Sequence, residues 1–211
     1  MSKFKLMVIA LLSVVTAAAC AQTGRVVESE RSVASISETG AQLSAAQEKL
    51  SQISVSIDDL SSSRNMQAAF QAYSKDVSDV QADRQRIKAQ REAMRASNRS
   101  YIAKWQKEID TIQSEDVRSA LEKRKEIVSD NFSEIRASLD QLSEAYQPFL
   151  INILEIRRAL ALDLNQSGIE SLKPAMDKAK DQAQAVKEKI TDVRQKIDEV
   201  TGSMSPTNEM K

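Results

Sequence analysis

The sequence contains no histidine and a single cysteine, Cys20. The first absence removes histidine-based acid–base chemistry and histidine metal sites from the chain. The second removes any intrachain disulfide framework. Glycine occurs four times and proline three times in 211 residues, so turns are few. Aromatic side chains make up 4% of the chain, too little for a large globular core or a roomy aromatic pocket. Neither sign of charge dominates: 30 basic residues face 30 acidic ones, which gives no bulk attraction to nucleic acid or anionic lipid. The sequence carries no glycine-rich phosphate loop and no paired acid–base motif. We therefore expect no catalytic residues, no metal site and no cofactor.

What is present is a long supply of helix formers, with charged residues at 28%, and a distinctive N-terminus. Lys3 and Lys5 precede a ten-residue apolar stretch over residues 6–15, followed by small residues and then Cys20. At about 1.5 Å per residue, such a stretch covers roughly half of a bilayer core of about 30 Å. It reads as an export signal over residues 1–19 rather than a spanning helix. Ala17-Ala-Ala19 before Cys20 resembles the bacterial lipobox, with Ala17 where that motif commonly has leucine. The same residues fit an ordinary small-x-small cut. The lipobox reading makes Cys20 a lipidation site carrying acyl chains such as palmitate. A buried methylene contributes about 0.8 kcal/mol, and two chains already anchor stably. Ala21 in place of aspartate points by resemblance to the outer rather than the inner membrane. Export would also remove Lys3 and Lys5, leaving the rest of the chain near neutral. Residues 20–32 are then a lipidated tether and 33–201 a helical body.

The body has four stretches with a seven-residue apolar repeat, the mark of packed, nearly parallel helices. The first covers about 26–60, with Ile36, Leu43, Leu50 and Ile57 beside Ala46, Ile53 and Leu60. Gly40 weakens it by up to about 1 kcal/mol. After a turn at 61–65 the second covers about 65–112, with Met66, Tyr73, Val80, Ile87, Met94 and Tyr101 on one stripe. Its companion stripe runs Phe70, Val77, Arg84, Arg91, Asn98, Trp105 and Ile112, polar in the middle. The third covers about 115–164, with Ser114 as its N-cap and Glu115 and Asp116 suited to the positive helix end. Pro148 inside it predicts a kink. Ser167-Gly-Ile-Glu170 has the spacing of a capping box and opens the fourth helix, about 167–201. Pro174 makes its first turns irregular, Gly202 ends it, and 202–211 reads as a disordered tail.

In an antiparallel pair, facing residues have a constant sum of indices. A sum of 229 sets Ile87 against Leu142 and Met94 against Ile135; a sum of 332 sets Ile153 against Ala179 and Leu142 against Ile190. The first puts Asn98 opposite Asn131 and Trp105 opposite Arg124, where the indole could stack on the guanidinium. The expected fold is all-α: an elongated up-down-up-down bundle, with the helix 2–3 hairpin projecting. Helix four should end near Val200, level with Phe132. Helix one should begin about level with Met94, so the hairpin over 98–131 would overhang both by about 25 Å. Cys20 belongs to the same end.

Tyr101, Trp105, Ile109 and Leu121 lie in that hairpin and form a candidate partner-binding tip. The competing reading makes them the filling of a two-helix seam. Seven basic and seven acidic residues between 99 and 130 do not make a polybasic lipid patch. Arg84, Arg91, Asn98 and Asn131 admit two readings, a polar channel or a register-fixing layer. Glu155 to Arg158 read as a solvated face rather than a buried ion pair or a dimer contact. Tyr101-Ile-Ala-Lys-Trp105-Gln-Lys-Glu108, Tyr146-Gln-Pro148-Phe-Leu150 and Leu160-Ala-Leu-Asp-Leu164 leading to Ser171-Leu172 resemble a family of bacterial helical envelope proteins. That family is catalogued as a domain of unknown function. The resemblance covers about residues 66–200 and implies a coiled helical bundle with no catalytic residues to carry over. The expected role is a lipid-anchored periplasmic spacer or adaptor, not an enzyme, held to the membrane by its N-terminal lipid. The alternative is a regulatory or inhibitory lipoprotein that docks an envelope enzyme or transporter through the tip. An envelope protein partner fits both, nucleic acid fits neither, and a leftover stripe on helix one leaves room for a homo-oligomer.

Overall fold

The computed structural model describes residues 15–204, with side-chain surroundings from residue 31 onward. Four helices account for it: α1 (Val15–Ser62), α2 (Met66–Ile109), α3 (Glu115–Leu162) and α4 (Gln166–Met204). They form an antiparallel up-down-up-down bundle in which α1 contacts both α2 and α4, and α3 closes the ring. A 44-residue helix such as α2 spans roughly 65 Å. Residues 205–211, most of the expected tail, lie outside the described residues, as do residues 1–14 of the expected signal segment.

The apolar repeats supply the core. Ile36, Leu43, Leu50 and Ile57 are buried together with Ala46, Ile53 and Leu60. Opposite them stand Leu139, Tyr146, Ile153 and Leu160 of α3, and Ala179, Val186, Val193 and Val200 of α4. Polar contacts fix the register. Arg84 with Gln147, Arg91 with Asp140 and Lys125 with Gln106 share one index sum, 231, within two positions of the expected 229. Between α3 and α4, Lys196 with Glu134 and Asn152 with Gln182 give 330 and 334, on either side of the expected 332. The register of α1, left open by its stripes, is set on both sides. Lys180 donates to Asp58 at 2.8 Å, and Gln47 donates to Thr191 at 3.3 Å. Towards α2, Lys49 meets Asp79 at 3.5 Å and Gln90 donates to the Ser35 carbonyl at 3.4 Å.

Helix ends depart from the sequence reading in four places. The helical backbone of α1 begins at Val15, well before residue 26, so helix one does not start level with Met94. Residues 15–23 contain four alanines, the best helix former, and the helix carries through Gly24 to join the predicted segment. At the other end, α4 runs through Gly202 to Met204, and Arg124 donates to the Ser203 carbonyl at 2.8 Å. Gly202 has no positive φ and does not end the helix. The hairpin therefore overhangs the described end of α4 only beyond about Arg124, a shorter projection than the 98–131 span. Ser114 occupies the N-cap of α3 with extended backbone, but its side chain makes no capping bond. The expected capping box at Ser167 is displaced: Asn165 caps α4, its Oδ1 accepting from the Gly168 N–H at 2.9 Å. Asn165 reaches the third residue on, the reach a cap needs, and Ser167 is already helical.

Gly168 explains why the α3–α4 turn can be this tight. A Cβ there would sit 2.3 Å from the Asp163 carbonyl oxygen. Only glycine lets the start of α4 approach the end of α3 so closely. Two of the three prolines are carried inside helices, Pro148 in α3 and Pro174 in α4, and both are exposed. α3 stays one continuous helix past Pro148.

Candidate functional site

The hairpin tip is built by the ends of α2 and α3. Heptad spacing puts Tyr101 and Trp105 one turn apart on α2, and their rings lie 5.5 Å apart, tilted by 52°. That is within the range of a favourable aromatic pair. Both are half-buried and pack on the edge of the core. Ile109, one turn further, is fully buried. Leu121 on α3 is half-buried, while Val117 and Ile127 are 50% exposed. The expected stacking of Trp105 on Arg124 is replaced: Arg124 reaches instead to Ser203, and Trp105 leans on Tyr101. α4 extends further than expected, and its terminal carbonyls offer the guanidinium a charge-assisted acceptor.

Polar bonds hold the tip together. Arg118 donates twice to the Ile112 carbonyl, at 3.3 and 3.1 Å, so the α2–α3 connection is tied from α3. Thr111 Oγ1 donates to the Glu108 carbonyl at 2.7 Å, and Lys125 donates across to Gln106 Oε1. Gln106 Nε2 in turn donates to Asp110 at 2.8 Å. The tip is thus a braced end with a half-exposed aromatic pair rather than a loose loop. Cys20 falls on the α1 backbone, and its side-chain surroundings lie outside the described residues. Because α1 runs antiparallel to α2, its N-terminal half belongs to the tip end of the bundle.

The polar seam residues come together only in part. Arg91 pairs with Asp140 at 2.9 Å and Arg84 donates to Gln147. Asn98 faces no described partner, with its buried Oδ1 unbonded, and makes no bond to Asn131. Glu155 and Arg158 are exposed, so they form no buried ion pair, and Arg157 donates to Ser78 Oγ at 3.2 Å.

Sequence reasoning missed the buried polar groups. Asp76 and Asp83, one heptad apart on α2, are 8% and 5% exposed. Each keeps one carboxylate oxygen buried and unbonded, although Asp83 also takes a bond from Arg86. Ser32, Thr39 and Ser56 are buried on α1. The available signal was their place in the repeat, since Ser32 and Thr39 continue the Ala46, Ile53 and Leu60 stripe. Two tyrosines are buried in the core. Tyr73 donates to the Ile153 carbonyl at 2.8 Å. Burial raises its pKa well above the ordinary value near 10, with the nearby Arg157 opposing. Tyr146 is shifted the same way by burial and by the Asp83 charge, with Arg84 opposing. Among the described residues no group of acidic or cysteine side chains has the arrangement of a metal site. Among them, too, no helix is long and apolar enough to cross a membrane.

These features define an all-α antiparallel four-helix bundle with a braced hairpin end. No family model matches the chain, and no curated protein or solved structure matches it either.

Proposed function

We propose that this chain is a lipid-anchored structural or interaction protein on the periplasmic side of a bacterial cell envelope, a spacer or adaptor without catalytic activity. The observation that carries the reading is topological. The antiparallel arrangement assigns the Cys20 end of α1 and the Trp105 end of α2 to one end of a long bundle. A diacylated Cys20 would hold that end at a membrane surface. The outer membrane is the expected one, on the strength of Ala21. The half-exposed Tyr101–Trp105 pair and the exposed Val117 favour a second reading, a regulatory lipoprotein that docks an envelope enzyme or transporter. The reading draws also on the sequence resemblance of residues 66–200 to a helical envelope family of unknown function, which contributes no chemistry.

Fatty-acid labelling of cells expressing wild type or Cys20→Ala tests the anchor. Labelling should be lost in the variant; equal labelling of both would refute it. Photocrosslinking from positions 101, 105 and 121 in cells tests the adaptor role. A discrete crosslinked species that disappears with Trp105→Glu, while thermal stability is kept, supports docking at the tip. A crosslinking pattern unchanged by Trp105→Glu would remove the tip from the proposal.

A further inference from the structure

The polar stretch of the α2–α3 seam leaves a partly open cleft. A cavity of about 280 Å³ lies between the two helices, one heptad long, and Arg84, Lys88, Arg91 and Tyr146 are among the residues that line it. Ile87, Leu139 and Leu142 supply its apolar wall. Three cations on successive turns of α2 therefore border an apolar recess. Their neutralisation is uneven. Arg91 has two carboxylates, Asp140 at 2.9 Å and Glu92 at 3.4 Å. Arg84 has only the neutral amide of Gln147. Lys88 has no hydrogen bond or ion pair among the described residues, and Glu144 on the facing helix pairs with neither.

Two buried donors in the same lining are unsatisfied. The Tyr146 side chain is 2% exposed, and its hydroxyl has no partner. Arg91, with its side chain 20% exposed, has a buried Nε without an acceptor. A layer that served only to fix register would satisfy its own polar groups, because each buried unpaired donor costs about 1–3 kcal/mol. Burial and the Asp83 charge keep the phenol protonated, so it stays a donor. Unpaired donors, uncompensated cations and an apolar wall share one complement: an acceptor-rich anion with an apolar body.

We propose that this cavity binds a small amphiphilic anion, a carboxylate or phosphate on a short alkyl chain. Arg84, Lys88 and Arg91 hold the anionic group, Tyr146 or Arg91 Nε donates to it, and the chain lies on Ile87, Leu139 and Leu142. The same chemistry is offered by a free acid or by a lipid headgroup at a membrane surface.

Calorimetric titration of the full chain with octanoate, octyl phosphate, octanol and inorganic phosphate tests the site. One of the two amphiphilic anions should bind one to one, at least tenfold more tightly than octanol or inorganic phosphate. Lys88→Gln changes an exposed side chain and leaves the fold intact; it should weaken that binding at least threefold. Arg84→Gln combined with Arg91→Gln should abolish it, with circular dichroism reporting that the helices persist. Flotation of full-length Cys20→Ala with phosphatidylglycerol vesicles separates the sources. Retention that falls with Lys88→Gln assigns the anion to a headgroup; no retention, with octanoate or octyl phosphate still bound, assigns it to a free acid. The proposal is overturned if neither anion binds at millimolar concentration and vesicles do not retain the protein. It is equally overturned if Lys88→Gln and the Arg84→Gln, Arg91→Gln double variant leave binding unchanged.

Discussion

The two ends of this bundle use the same seven-residue repeat and reach different results. At the end holding the α1–α2 and α3–α4 turns, the stripes are continuous, and Leu50, Ile53, Ile57, Phe149, Ile153 and Ile156 are all at most 1% exposed. Towards the α2–α3 hairpin, α2 places Arg84, Arg91 and Asn98 on the seam, and a cavity opens beside the first two. The lesson is that heptad spacing fixes which residues face a neighbour, while side-chain chemistry fixes how closely the neighbour can approach. Apolar layers close to near-crystalline density. Layers of arginine cannot close without stranding charge.

The largest expected effect lies at the close-packed end. Phe149→Ala should cost about 3–5 kcal/mol, because it opens a cavity among residues that cannot collapse into it. Trp105→Ala at the half-exposed tip should cost clearly less, and urea unfolding of the two variants measures the contrast. Equal losses would mean that the tip belongs to the same cooperative core.

A smaller effect sharpens the contrast between the two buried tyrosines. Tyr73 has a partner and Tyr146 has none. Tyr73→Phe should therefore cost about 1 kcal/mol, the usual net value of one hydrogen bond. Tyr146→Phe should instead be neutral or stabilising in the ligand-free protein, because it removes a buried hydroxyl that has no partner. Both phenols have raised pKa values in the folded state. Their contribution is thus full below pH 10, the ordinary tyrosine value, and is lost as pH rises beyond it, because the unfolded chain ionises first. Thermal melts from pH 8 to 11 should show stability falling above pH 10, less steeply in the Tyr73→Phe, Tyr146→Phe double variant.

Glycine gives the smallest pair of effects, with opposite signs. Gly40 lies on α1 with room for a methyl group, 3.6 Å from Ile197 Cγ2. Gly40→Ala should raise stability by about 0.5–1 kcal/mol through helix propensity. Gly168→Ala must instead displace the Asp163 carbonyl and should destabilise. Melting temperatures of the two variants moving the same way would break this reading of the α3–α4 turn.

Much of the fold was legible because an unbroken apolar repeat needs few assumptions. The stripe residues named on α1, and Ile135, Leu142, Ile153, Ala179 and Ile190 in the predicted pairings, are all buried, and the α2–α3 register lies two positions from the constant sum. Caps were less legible, since Asn165 and Ser167 both sit at plausible spacing and only the approach at Gly168 decides between them. The candidate tip was legible as a set of residues but not as an arrangement. Tyr101 and Trp105 do come together, while Arg124 turns away because α4 reaches further than its glycine suggested. Asp76 and Asp83 were not legible at all. They flank a seam that looks two-sided in sequence, and a helix contacting neighbours on two sides buries a wider face than one stripe.

By itself, the sequence determined four helices, their inward faces and their antiparallel pairing, because periodicity and short turns are local properties of the chain. It also determined the position of Cys20 behind an apolar run. Only the tertiary structure decided that α1 meets α2 and α4 at once, that two aspartates and a tyrosine hydroxyl are buried without full partners, and that Arg84, Lys88 and Arg91 border one recess. Those outcomes depend on what stands across each seam and how near it comes, distances that no single helix carries in its own sequence.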